Sequence, residues 1–104
     1  MFEIGAQGPD QWPGVSKLLE EMGELTQILG KLIATRGQSE HWSGLNLREE
    51  LIKEIADVHA AICFVMVECL SSEEIAVIQG RIAEKIKRFN RWHELGQLNQ
   101  EVLK

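Results

Sequence analysis

The chain has few of the residues that interrupt helices or build covalent frameworks. Its 104 residues include only two prolines, two cysteines and no tyrosine. Cys63 and Cys69 have neither the spacing nor the neighbours of a zinc site, so we expect buried, reduced thiols. Alternation of apolar and polar residues over four or more positions is missing, which argues against strands. The composition favours helices.

Signatures of several functional classes are also missing from the sequence. There is no glycine-rich phosphate loop, and no Ser–His–Asp or Cys–His arrangement is legible. The longest apolar stretch, residues 55–70, contains Asp57, His59 and Glu68 and is too short to span a membrane. The first residues lack the basic and apolar regions of a secretory signal. We therefore expect a cytoplasmic protein with no membrane partner.

The distribution of charge is uneven along the chain. A formal net charge of −5 argues against a nucleic-acid partner, because nucleic-acid backbones favour basic surfaces. Five cations nevertheless lie close together in one late segment: Arg81, Lys85, Lys87, Arg88 and Arg91. A local anion site is compatible with this arrangement.

The spacing of apolar residues predicts an all-α fold in one domain, residues 1–104, built from a helical hairpin and a third helix. After an irregular lead-in over residues 1–14, we predict helices at about residues 16–35, 47–70 and 72–94. The residues expected to mark helix starts and stops are Ser16, Gly37, Asn46 with Glu49 as its capping-box partner, Ser71 or Ser72, and Gly96.

Acidic residues repeat on the first two predicted helices. The first helix carries Glu20, Glu21 and Glu24, and the second carries Glu54 and Asp57. On a helical wheel these carboxylates lie beside the apolar stripe of each helix. The two helices repeat the same pattern of apolar and acidic positions, 33 residues apart. In an antiparallel hairpin both acidic pairs can approach one point, where oxygen ligands suit Mg²⁺ or Mn²⁺.

The acidic residues also have plainer interpretations. A single acidic helix face is usually solvated surface, and Glu20, further from the apolar stripe, is either an outer-shell base or solvated. A di-iron bundle requires Glu-x-x-His motifs, but Glu24 and Asp57 occupy the positions where those histidines belong. An all-oxygen Mg²⁺ site is therefore preferred.

The third predicted helix has a basic ridge beside its apolar stripe. Its residues, Arg81, Lys85 and Arg88, either hold phosphates or complement the helix dipole. Lys17, Lys31 and Lys53 either pair with neighbouring glutamates or reach substrate. Trp12 and Trp42 either stack on a base or pack in a core, whereas Trp92 is expected to be structural.

The second predicted helix is apolar nearly all round between Val58 and Leu70. Such a helix is normally covered on every side, and three helices cannot achieve this. We therefore expect a second copy of the chain, giving a dimer with a four-helix-bundle core or a larger assembly such as a tetramer.

The pattern Glu20-Glu21-Met22-Gly23-Glu24, followed by Glu54-Ile55-Ala56-Asp57, resembles the MazG family of nucleoside triphosphate pyrophosphohydrolases. The segments KLLEEMGEL, EELIKEIADV and EKIKRFNRW are also similar to that family, and the resemblance covers roughly residues 12–93. The linker between the two motifs, residues 25–53, is slightly longer than is usual in the family.

The resemblance implies a Mg²⁺-dependent enzyme that hydrolyses nucleoside triphosphates between the α and β phosphates, in nucleotide-pool house-cleaning. It implies metal binding by Glu21, Glu24, Glu54 and Asp57. Glu20, or a metal ligand acting through a bound water, would position or deprotonate the nucleophile. Lys85 and Arg88 match basic positions that hold phosphates, and Lys31, Arg81 and Trp42 are further substrate-binding candidates. Two alternatives remain open: a non-catalytic helical dimer that binds a partner or a nucleotide, and a hydrolase of non-nucleotide diphosphates.

Overall fold

The computed structural model describes residues 12–39, 41 and 43–103, with side chains up to Gln97. This part of the chain forms three helices and no β-strand: α1 (Val15–Ala34), α2 (Leu47–Cys69) and α3 (Ser72–Leu103). The predicted all-α class is confirmed. The chain divides into two compact units, Met1–Leu70 and Ser71–Lys104, and the expectation of a single domain stays a prediction.

Helix α1 begins at Val15, directly after a glycine with a left-handed backbone. Gly14 has a φ of 85° and occupies the N-cap position without a side-chain cap. The prediction that Ser16 caps this helix is wrong, because Ser16 lies inside the first turn. A glycine is favoured at this point, since other residues adopt a positive φ only at a cost in energy.

Helix α1 ends in two hydrogen bonds typical of a Schellman motif. The backbone N–H of Gly37 donates to the Leu32 carbonyl at 2.8 Å, and that of Arg36 donates to the Ile33 carbonyl at 3.1 Å. Arg36 and Gly37 both have a positive φ. Arg36 is therefore the left-handed residue that ends the helix, and the predicted stop, Gly37, follows it.

Side chains cap the other two helices at their first turns. The Asn46 side chain accepts a hydrogen bond from the Glu49 N–H at 3.1 Å, which confirms the predicted start of α2. Ser71 Oγ accepts from the Glu74 N–H at 3.1 Å, while Glu74 Oε1 accepts from the Ser71 N–H at 2.9 Å. This reciprocal pair is a capping box, and it selects Ser71 over Ser72 as the cap of α3.

The third helix is longer than the sequence predicts. Gly96 does not end it, and α3 continues to Leu103. His93 Nε2 and the Gln97 side-chain amide lie 3.0 Å apart across Gly96. A single glycine costs a helix interior only about 1 kcal/mol relative to alanine, which is too little to stop a helix followed by good helix formers.

Helices α1 and α2 form an antiparallel hairpin. Phe64 and Val65, late in α2, lie against Gly14 at the start of α1. Nearby, Cys69 Sγ donates a hydrogen bond to the Pro13 carbonyl at 3.4 Å. Among the described residues, the buried apolar side chains are Ile28 and Leu47, one from each helix.

The hairpin buries Glu54 on its acidic flank and leaves several apolar side chains of both helices exposed. Positions related by the 33-residue offset have matching exposed fractions: Leu19 and Ile52 (71% and 62%), Met22 and Ile55 (50% and 49%), Leu29 and Ile62 (44% and 39%). Two antiparallel helices that touch through equivalent faces are related by a two-fold axis perpendicular to the plane that contains both helices. Equivalent residues of the two helices therefore face the same side of this plane. Of these residues, Met22, Leu29, Ile55 and Ile62 therefore lie on the same side of it, and we call these four residues the apolar face.

Helix α2 is not covered on every side within one chain. Phe64 and Val67 are exposed, and so is Cys63, which contradicts the expectation of a buried thiol at that position. Cys69 is half-buried. The all-round apolar character of α2 therefore exceeds what α1 alone can cover.

None of the described helices combines the length and the apolar character required to cross a lipid bilayer.

The contact at Gly14 gives a first testable prediction. In Gly14→Ala the new Cβ would lie 2.5 Å from Phe64 Cδ1, and the positive φ would be strained as well. We expect a loss of about 2–4 kcal/mol in the free energy of unfolding, from overpacking and backbone strain together. Urea unfolding at a fixed protein concentration measures it.

The matched control is Gly23→Ala, in the same helix, where a new Cβ meets nothing within 4 Å. This change should raise the free energy of unfolding by up to about 1 kcal/mol, because alanine is the better helix former. Equal effects of the two substitutions would contradict the close approach of Gly14 to α2.

Candidate metal centre

Three carboxylates meet between α1 and α2. Glu21, Glu54 and Asp57 each offer one oxygen, and these oxygens all lie within 4.8 Å of one another. Glu54 and Asp57 are three residues apart and share a face of α2. Glu21 occupies on α1 the position that Glu54 occupies on α2, so antiparallel pairing brings their equivalent faces together.

The carboxylate of Glu54 is withdrawn from solvent without compensation. The residue is only 5% exposed, and its Oε2 atom has no hydrogen-bond partner in the described part of the chain. Glu21 Oε2 is buried in the same way. Buried carboxylates are normally paired, hydrogen-bonded or bound to a metal, because desolvating an isolated charge is costly. This pair of unpartnered oxygens fits the donor set of a divalent cation.

The electrostatic environment of Glu21 reflects the crowding of negative charge. Desolvation raises the pKa of Glu21, and the nearby carboxylates of Glu24 and Asp57 raise it further. Lys17 opposes the shift, with its Nζ atom 3.8 Å from Glu21 Oε1. The lysine is largely exposed, so this pair offsets little of the repulsion.

The other two predicted acidic residues lie at the edge of this cluster. Glu24 is exposed and is not one of the three grouped carboxylates, although it is close enough to affect the pKa of Glu21. Glu20 is also exposed, and its carboxylate accepts hydrogen bonds from Lys17 Nζ at 3.3 and 3.4 Å. Both side chains are therefore accessible to a ligand approaching from solvent.

The predicted phosphate-binding residues lie on different parts of the chain. Lys31 is half-buried in the last turn of α1. On α3, Arg81 is exposed, Arg88 Nη2 lies 3.7 Å from Glu84 Oε2, and Lys85 Nζ lies 5.7 Å from the centre of the Phe89 ring. Trp42 lies outside the described residues.

The structure distinguishes carboxylates that the sequence treats as equivalent. The helical wheel gives Glu21 and Glu54 the same angle, yet Glu54 is the more buried. The role of Lys17 as a counter-charge was open in the sequence, where the lysine could pair with a glutamate or reach a substrate. Its spacing of four residues from Glu21 is the signal for the ion pair that the structure contains.

This arrangement can bind a hard divalent cation. Three carboxylate oxygens from two helices supply charge and ligands at one point, and solvent or a substrate can complete the coordination. Solvated surface is a poor description of Glu54, because its carboxylate is buried.

Comparisons of the chain with protein-family models, curated proteins and solved structures found no match. The resemblance to the MazG family therefore depends on its motif residues.

Neutralising Glu54 should stabilise the metal-free protein. In EDTA we expect Glu54→Gln to raise the free energy of unfolding by about 1–3 kcal/mol, because an unpartnered buried carboxylate and its repulsion of Glu21 and Asp57 are removed. The exposed Glu68 on the same helix provides the control Glu68→Gln, which should change stability by less than about 0.5 kcal/mol. Thermal or urea unfolding in EDTA measures both. A destabilised Glu54→Gln would contradict an uncompensated charge at this position.

The raised pKa of Glu21 predicts a pH dependence of metal-free stability. Because the folded-state pKa exceeds the value of 4.5 in the unfolded chain, protonated Glu21 favours the folded state. This contribution is fully present below about pH 4.5 and is lost as the pH rises through the raised pKa. The melting temperature in EDTA should therefore fall more steeply between pH 4 and pH 7 for the parent protein than for Glu21→Gln. Parallel pH profiles would contradict the assignment.

Proposed function

We propose that this chain is a Mg²⁺-dependent nucleoside triphosphate pyrophosphohydrolase that converts an NTP or dNTP and water into the monophosphate and pyrophosphate. The observation that supports it best is the buried, unpartnered carboxylate of Glu54 beside Glu21 and Asp57. This is the acidic pattern on which the resemblance to the MazG family depends. Mn²⁺ is expected to replace Mg²⁺, because both favour oxygen ligands.

In the proposed reaction the oxygen of a water molecule attacks the α-phosphorus. The bond between this phosphorus and the oxygen that bridges to the β-phosphorus breaks, and pyrophosphate leaves with that oxygen. The attacking water loses a proton, for which Glu20 is the proposed acceptor because its carboxylate is accessible beside the cluster. Lys17 Nζ lies 3.3 Å from this carboxylate.

Glu21, Glu54 and Asp57 would hold the metal, with Glu24 as a further ligand from the exposed edge. Bound Mg²⁺ supplies positive charge that makes the α-phosphorus more electrophilic. The burial of Glu54 strengthens its interaction with a cation, since water screens it poorly there. The residues proposed to hold the phosphates are Lys85, Arg88, Arg81 and Lys31, with Trp42 as a candidate for contact with the base.

A dimer is the assembly proposed for this enzyme. The four residues of the apolar face are each at least 39% exposed in the single chain. Packing two hairpins through this face would create a four-helix bundle and remove its apolar surface from water. A homotetramer made of two such dimers is the larger form of the same proposal.

A non-catalytic binding module is the second candidate. The apolar face favours it, since large exposed apolar patches commonly mark interaction surfaces. The buried carboxylates argue for the enzyme, because a module that only binds a partner has no use for an uncompensated charge between its helices. A hydrolase of non-nucleotide diphosphates would have the same acidic cluster.

Product analysis tests the proposed reaction. The protein is incubated with a panel of NTPs and dNTPs, in Mg²⁺ and in EDTA, and the products are separated by ion-exchange chromatography. We expect monophosphate and pyrophosphate in Mg²⁺ only, with turnover reduced at least about 100-fold in Glu54→Gln and Asp57→Asn. Diphosphate with orthophosphate would identify a different enzyme class. No turnover of any nucleotide would favour the binding module.

Light scattering coupled to gel filtration tests the proposed dimer. Met22→Glu introduces a charge into the apolar face, and we expect it to weaken association about 100-fold or more, because the new carboxylate would be buried without a partner. Gln27→Glu, at an exposed polar position of the same helix, should leave the mass unchanged. A monomeric parent protein at micromolar concentration would contradict this interface.

A further inference from the structure

Three cations and a tryptophan form a straight row along α3. Arg81, Lys85, Arg88 and Trp92 are separated by four, three and four residues. At 100° and 1.5 Å per residue, they fall within about 60° of one another and span about 16 Å of the helix. We call these four residues the cationic row.

The indole of Trp92 is available on this surface. Trp92 is 75% exposed, and the expectation that it is a structural residue finds no support in the described part of the chain. It is also the last member of the row, one helical turn beyond Arg88. An exposed indole next to cations can stack on a planar ring while the cations hold attached anions.

The cations of the row have little internal compensation. Among the described residues, Glu84 is the carboxylate paired with the row, at 3.7 Å from Arg88, and both side chains are more than 60% exposed. Such pairs contribute little and leave the cation free to bind another anion. Lys85 lies over the Phe89 ring, at 5.7 Å from its centre, which leaves its charge uncancelled.

The surrounding segment concentrates positive charge in an acidic protein. Residues 81–92 contain five cations and one carboxylate, although the whole chain has a formal net charge of −5. A local field of this kind attracts a small anion. The acidic remainder of the chain repels a long polyanion, so the charge pattern favours a compact phosphate ligand over a nucleic-acid strand.

We propose that the cationic row binds one nucleotide, with its phosphates on Arg81, Lys85 and Arg88 and its base stacked on Trp92. This inference rests on the proposed function and deepens it, because it assigns base recognition to Trp92 in place of Trp42. Stacking accepts every base, since each has a π-face. We therefore expect the protein to discriminate weakly between bases. Trp92 would supply the affinity for the nucleoside portion of the ligand.

The experiment compares three probes by calorimetry with the full-length protein in EDTA: dATP, inorganic tripolyphosphate and a long single-stranded oligonucleotide. The parent protein should bind dATP about 5- to 100-fold more tightly than tripolyphosphate, which is the range of one stacked base. Trp92→Leu should abolish this ratio and leave tripolyphosphate binding unchanged, and Trp92→Phe should retain most of it. Arg88→Gln should weaken the binding of both dATP and tripolyphosphate.

Trp12→Leu, at an exposed tryptophan in the other compact unit, is the matched control and should preserve the ratio. Circular dichroism and light scattering show whether each variant keeps its helices and its mass. A ratio that survives in Trp92→Leu would overturn the proposal. So would a change of mass in Trp92→Leu, which would assign Trp92 to an interface between chains, or a stronger preference for a long oligonucleotide than for dATP.

Failure of this inference is distinguishable from failure of the proposed function. If the parent protein releases pyrophosphate in Mg²⁺ and Trp92→Leu leaves KM for dATP unchanged, the reaction stands and the base-stacking role of Trp92 is wrong. If the binding ratio in EDTA behaves as predicted but no pyrophosphate forms, the nucleotide surface stands and the proposed reaction is wrong.

Discussion

Repulsion among carboxylates at the α1–α2 contact is the constraint on which the rest of this structure depends. Two helices that share an acidic and apolar template pack so that Glu54 is buried beside Glu21 and Asp57. Such a contact opposes folding unless positive charge offsets it. Lys17 supplies part of this charge from an exposed position, and a divalent cation would supply the rest at the centre.

The same packing determines what the hairpin presents to solvent. The four residues of the apolar face stay exposed, because the contact between the helices lies on another side of each stripe. Ile28 and Leu47 supply little buried apolar surface, so the hairpin has a small core of its own. Metal binding inside the hairpin and association through the apolar face would therefore stabilise the same pair of helices from two directions.

Much of this fold follows from local sequence patterns, and the differences have identifiable physical causes. The caps at Asn46 and Ser71 and the bounds of α2 were predictable, because capping depends on a few adjacent residues. The predicted helix start at Ser16 and helix end at Gly96 were wrong, because the preferences of the neighbouring residues outweigh that of a single capping residue or glycine. The acidic cluster was predictable from helical phase. The burial of Glu54 and the contact of Gly14 with Phe64 were not, because they depend on how closely α1 and α2 pack.

Manganese binding followed by electron paramagnetic resonance tests the central claim most directly, because it reports occupancy of the carboxylates without requiring a substrate. Titrating Mn²⁺ into the parent protein should deplete the free-ion signal by at least one ion per chain, and Mg²⁺ should restore it by competition. Glu54→Gln should lose this binding, while Glu68→Gln should retain it. Equal Mn²⁺ binding by the parent protein and Glu54→Gln would contradict a metal centre between α1 and α2.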